Sequence, residues 1–146
     1  MSEAMLELAA EILGPLNDDV VLGVEAAIER TLASGVRVRA VAPPVVIATK
    51  LAAWRGRGHG DILRSLDVHD IIVLINGRHE LADELAGQGD ELRTYVAQEL
   101  AALIDEPYFE YVVQSAVAGY GDVAPARATI VRDRLAAIIE RVSSRA

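Results

Sequence analysis

Lys50, Arg55, Arg57, Asp61, Arg64, Asp67 and Asp70 crowd around three glycines within the stretch ATKLAAWRGRGHGDILRSLDVHDII, residues 48–72. A lysine and one or two carboxylates beside a basic glycine loop make a set that can handle a phosphorylated ligand, because ammonium and guanidinium groups offset phosphate charge. The competing reading is structural. Asp67 would stabilise the positive N-terminus of its own helix, and Asp70 would pair internally with a cation. RGRGHG itself is not a Walker loop, since it lacks the Gly-x-x-x-x-Gly-Lys-Ser/Thr order and does not follow a strand. Both readings stay open on spacing alone.

Other chemistries have less support. His59, His69 and His79 recur every ten residues, but no i, i+4 histidine pair exists and their neighbours do not repeat, so no metal site is expected from them. The absence of cysteine excludes disulfides, thiolate nucleophiles and Cys-ligated metal. No Gly-x-Ser-x-Gly elbow is present, so hydrolase chemistry has no positive sign. Asn17, Asp18 and Asp19 read as a turn.

The elements that must position the charged residues follow from pattern. Ser2 can cap a short helix over about residues 3–13, ended by Gly14 and Pro15. Alternation on both sides of a Gly-containing turn, Ile28, Arg30 and Leu32 before it and Val36, Val38 and Ala40 after it with Arg37 and Arg39 between them, predicts a β-hairpin near residues 28–41 with one wet face. Pro44 suits the first turn of a helix running to about Trp54. The three alternating glycines then predict a mobile loop. Ser65 is a good N-cap for a helix of LDVHDIIVLIN, with Asn76 and Gly77 as its stop. That helix is apolar almost all round, which predicts burial, and Asp67 and Asp70 share one face of it at i, i+3. Further helices are expected near 79–86, 89–105, 107–118 and 124–142. The fold class is therefore α+β, mainly α, with one small hairpin and about six helices. A single domain is expected, divided into a short helix plus hairpin over 1–42 and a helical part over 43–146.

Composition bounds the partners. The 146 residues carry 14 basic and 22 acidic side chains, a net charge of −8, which repels a nucleic-acid backbone over most of the surface. Any phosphate site must be a local basic focus. The opening MSEAMLELAAEILG has no basic n-region, and no apolar run is long enough for a membrane span, so a cytoplasmic location with no membrane partner is expected.

From Pro44 through ATKLAAWRGRGHGDILRSLDVHDIIVLINGRHEL the chain resembles the C-terminal half of the bacterial nucleotidyltransferase-like proteins of the AbiEii/AbiGii toxin type. The resemblance is carried by A-T-K-L-x-A, a basic glycine loop, S-x-D-x-x-D-I and N-G-R-x-E-L at kept spacing. It implies that Lys50 meets nucleotide phosphates, that Asp67 is an acidic residue of the catalytic site, and that Asp70 is its helix companion. Arg55 and Arg57 match the basic loop, with Asp61 and Ser65 in structural or secondary roles. Mg2+ and a nucleoside triphosphate would be needed only if the site is active.

The departures are specific. The family's Gly-Ser turn and Asp-x-Asp strand, which hold its catalytic metal ions, have no counterpart, because neither pattern occurs anywhere in the chain. Where a third carboxylate should fall the sequence reads Glu3-Ala4-Met5, and the family's frequent histidine before Asp67 is Leu66. The expectation is a truncated or diverged nucleotidyltransferase-like domain, inactive alone, with a remnant nucleotide or phosphate site or an interaction role. A second copy or a partner protein would then be its associate. Two alternatives stand beside it: an active metal-dependent nucleotidyltransferase completed by a partner chain or unusual ligands, and a structural helical protein with a buried ion-pair network.

Overall fold

A computed structural model describes residues 28–57 and 60–144. The expected helix at 3–13, the turn at 17–19 and His59 lie outside the described residues. Helices carry the fold. They are α1 (Pro43–Gly56), α2 (Leu66–Gly77), α3 (Leu81–Ala86), α4 (Asp90–Ile104), α5 (Phe109–Val117) and α6 (Ala124–Ser143). Two 3-10 turns, Ile62–Arg64 and Ala118–Val123, lead into α2 and α6.

Each long helix buries one stripe at three- and four-residue spacing, the period at which side chains return to one face. α4 buries Leu92, Val96, Leu100 and Leu103, and α6 buries Ala128, Val131, Leu135, Ile138 and Val142. α6 is the element most surrounded, packing against α2, α3, α4 and α5, while α2 packs against α1, α5 and α6. The interior is consequently aliphatic, with Ile47, Leu51, Ile71, Ile72, Ile75 and Leu85 closed to solvent and Trp54 as its large aromatic plug.

Ahead of α1, β1 (Ile28–Thr31) and β2 (Arg37–Ala40) pair antiparallel, Ile28 opposite Ala40 and Arg30 opposite Val38. The turn between them uses Gly35 at φ 83°, in the left-handed region open to glycine. Residues 31–37 are all exposed, and no sheet layer lies beneath the helices among the described residues.

Several local expectations change. α1 runs two residues past Trp54, to Gly56, because Arg57 N–H still finds the Ala53 carbonyl at 3.1 Å. Part of the expected mobile loop is ordered: the Asp61 carboxylate accepts from Leu63 N–H at 3.0 Å and starts the turn at Ile62–Arg64. The helix expected from Pro107 begins at Phe109, since Tyr108 adopts a left-handed φ of 68°. α2 is not buried all round. Leu66 is 76% exposed and Val73 is also open, because the neighbouring helices cover only part of its circumference.

Candidate functional site: a lysine between two aspartates

The site is built at the N-terminal end of α2. Ser65 Oγ accepts from Val68 N–H at 3.2 Å and caps the helix, which places Asp67 in its first turn, where a negative charge complements the free amide groups. Asp67 is only 5% exposed. A carboxylate that deep needs partners, and two cations from α1 and the segment just after it supply them. Lys50 Nζ lies 3.3 Å from Asp67 Oδ1 and 2.8 Å from Asp70 Oδ2. Arg57 Nη1 donates to the other oxygen, Asp67 Oδ2. The i, i+3 relation of Asp67 and Asp70 is what lets one ammonium bridge both.

The expected site residues therefore divide. Lys50, Arg57, Asp67 and Asp70 come together, with one buried acid at the centre and a half-exposed acid, Asp70, at the lip. Arg55 does not join them. Its guanidinium is engaged by Glu99 of α4, a residue 44 positions away that no local pattern could nominate. Asp61 turns to Leu63 N–H and to Arg64, whose Nε lies 3.6 Å off, and Ser65 is spent as the cap. Among the described residues no group of three or more His, Asp or Glu side chains gathers as metal ligands. His69 is half-buried on α2, and His79 is exposed, 3.2 Å from Glu80.

The far end of α2 is secured by a residue that pattern reading passes over. Arg134 of α6 donates from Nη1 to the carbonyls of Ile75 and Asn76, at 3.0 and 2.5 Å, which the helix end leaves without intrahelical partners. Asn76, 5% exposed, donates to Tyr120 Oη at 3.2 Å. A guanidinium spaced at i, i+3 from the buried Val131 is its one sequence sign.

Electrostatically, the Lys50 ammonium is held charged past its ordinary value of 10.5, first by the hydrogen bond it donates to Asp70, with burial opposing and Asp67 assisting. A raised lysine value means that the stabilisation is complete below the unfolded value and is lost as pH rises through the folded one. Wild-type stability is thus expected to fall above about pH 10.5, the ordinary lysine value, by more than that of Lys50→Met. Urea melts of the two proteins between neutral and strongly alkaline pH check this, and parallel curves would contradict it. Tyr95, pushed up to about 12 chiefly by burial, stays neutral until later in the same titration.

No family model, no curated protein and no solved structure matches this chain. Among the described residues no helix is long and apolar enough to cross a membrane.

Proposed function

We propose that this chain is a diverged nucleotidyltransferase-like domain that binds rather than catalyses, with Lys50 and Arg57 facing the phosphates of a nucleotide. One observation carries the reading. Two cations, one within α1 and one just past its end, converge on a single buried carboxylate, yet both side chains reach solvent, Lys50 being 32% and Arg57 66% exposed. The buried acid fixes their positions, and the exposed Asp70 is the one partner that a phosphate oxygen can displace without entering the core. A phosphate there would exchange one charge-assisted hydrogen bond for another while drawing on both cations. The order of parts supports the same reading: a strand pair, a lysine helix, a basic glycine loop, then a capped helix with two aspartates. The missing Gly-Ser and Asp-x-Asp motifs argue for binding over transfer.

Isothermal titration with ATP, CTP, GTP, UTP and inorganic triphosphate, with and without magnesium, tests it. Wild type is expected to bind at least one of them, and Lys50→Met or Arg57→Met to weaken that binding about tenfold or more, a change of ~1.4 kcal/mol. Arg55→Met should bind as wild type does, because its guanidinium is occupied by Glu99. Metal-dependent nucleotide incorporation by the purified chain, lost in Asp67→Ala, would instead favour an active enzyme.

A second reading rests on a specific observation as well. Each cation of the cluster is already matched by a carboxylate, Lys50 by Asp67 and Asp70, Arg57 by Asp67. If no nucleotide or triphosphate binds, the cluster is a structural ion-pair network and the nucleotide reading fails.

A further inference from the structure

Asn76 and Gly77 form the only Asn-Gly pair of the chain, and they are the last two residues of α2. This dipeptide has a chemistry of its own. The glycine nitrogen can attack the asparagine side-chain carbonyl, and no Cβ on the attacking residue obstructs the approach. The Gly77 nitrogen gives up its proton to base and bonds to Asn76 Cγ. The Cγ–Nδ2 bond breaks, and the departing nitrogen takes up a proton and leaves as ammonia. Water then opens the succinimide at either carbonyl, which yields aspartate or isoaspartate. Water and a base are the only co-reactants.

The fold opposes this reaction as long as α2 keeps its end. A helical residue points its N–H along the axis toward the preceding turn, not toward the neighbouring side chain. That geometry continues through Gly77 to Arg78, whose N–H still reaches the Leu74 carbonyl at 3.0 Å. The Asn76 side chain is buried, and its Nδ2, the group that would leave, donates to Tyr120 Oη at 3.2 Å. Tyr120 belongs to the 3-10 turn before α6 and is held in turn by Arg127, whose guanidinium lies 4.8 Å from the ring centroid. Arg134, two turns further along the same face of α6, donates to the carbonyls of Ile75 and Asn76. The end of α2 is thus restrained twice from the side of α6, once through Tyr120 and once directly.

The same place is a weak point. Asn76 Oδ1 is buried with no hydrogen-bond partner among the described residues, which favours local opening because water would satisfy it. Helix ends are also where fraying begins. We infer that Asn76 is a modification site gated by the fold: it stays an amide while Tyr120 and Arg134 hold the end of α2, and it deamidates when that end opens. Either product makes the opening permanent. Aspartate places a negative charge at a helix C-terminus, where the dipole opposes it, on a side chain that is 5% exposed. Isoaspartate routes the backbone through the former side chain and adds a methylene to it, which breaks the helical pattern just after the buried Ile75. The lysine site takes no part, so the inference stands apart from the nucleotide reading.

Peptide mapping by mass spectrometry, on the full chain kept for weeks in mildly alkaline buffer with and without urea, tests it. Wild type is expected to gain aspartate and isoaspartate at Asn76 slowly in buffer and far faster in urea. Tyr120→Phe and Arg134→Met should each raise the rate in buffer about tenfold with unchanged circular dichroism, since the population of the opened end sets the rate. Val96→Ala, which loosens the core on α4 away from these contacts, should lower global stability yet leave the rate close to that of wild type. Gly77→Ala, at a glycine with ordinary helical φ and room for a methyl group, should suppress the reaction in every background. Equal rates in buffer and urea overturn the inference, as does the absence of product in urea. Tyr120 and Arg134 variants that react no faster than wild type, or a Val96→Ala protein that reacts as fast as they do, overturn it as well.

Discussion

Replacing Lys50 and Arg57 together by methionine is expected to destabilise the protein by about 3 kcal/mol, more than the two single changes combined. The reason lies in Asp67, which is buried at 5% exposure and receives Lys50 on one oxygen and Arg57 on the other. Either single substitution leaves the carboxylate one cation and costs about 1 kcal/mol, in the range of a partly solvated charged hydrogen bond. The double substitution strands a buried charge. A loss at the low end of the usual ~3–5 kcal/mol is expected because both cations reach solvent, so water can follow them in. Adding Asp67→Asn should return most of the stability, since removing a whole ion-pair set is far less damaging than removing half of it. Urea denaturation with a common m-value reads all four variants against wild type. Strictly additive single effects, or no recovery with asparagine, would show that Asp67 does not depend on these cations.

The second large effect sits on the same helix. Ile72→Ala should cost about 2–5 kcal/mol, because Ile72 is fully closed off on the element that touches α1, α5 and α6, and the space it leaves cannot collapse freely. Leu66→Ala, six residues earlier on α2, should change stability by no more than about 0.5 kcal/mol, since its side chain is mostly in water. Thermal or urea melts of the pair measure how sidedly α2 is buried. Equal losses at the two positions would mean that Leu66 is covered in solution, for instance by a second copy.

These two experiments mark where local pattern stops being informative. Ser65 could be named as a cap and Asn76-Gly77 as a stop because capping is a contact within four or five residues, and the structure bounds α2 at Leu66–Gly77 with the Ser65 Oγ bond in place. The helices expected near 89–105 and 124–142 were legible for a similar reason, periodicity being a property of one helix and its own axis. Leu66 shows the limit. Its helix is apolar nearly all round, so composition assigned it to the interior, yet the packing helices leave that side open. Arg55 and Arg57 show it again: two residues apart at the end of α1, one serves Glu99 and the other Asp67.

What the amino-acid sequence determined by itself is the helices beyond Pro43, the Ser65 cap of α2, and the clustering of a lysine, a basic loop and two aspartates within residues 50–70. Local hydrogen bonding and helical period suffice for that. Tertiary structure alone decided that Lys50 bridges both aspartates, that Arg55 leaves the site, and that Arg134 closes the far end of α2. The physical reason is the same throughout. A residue's spacing fixes the direction it leaves its own helix, whereas its charge partner and its burial depend on which other helix stands opposite.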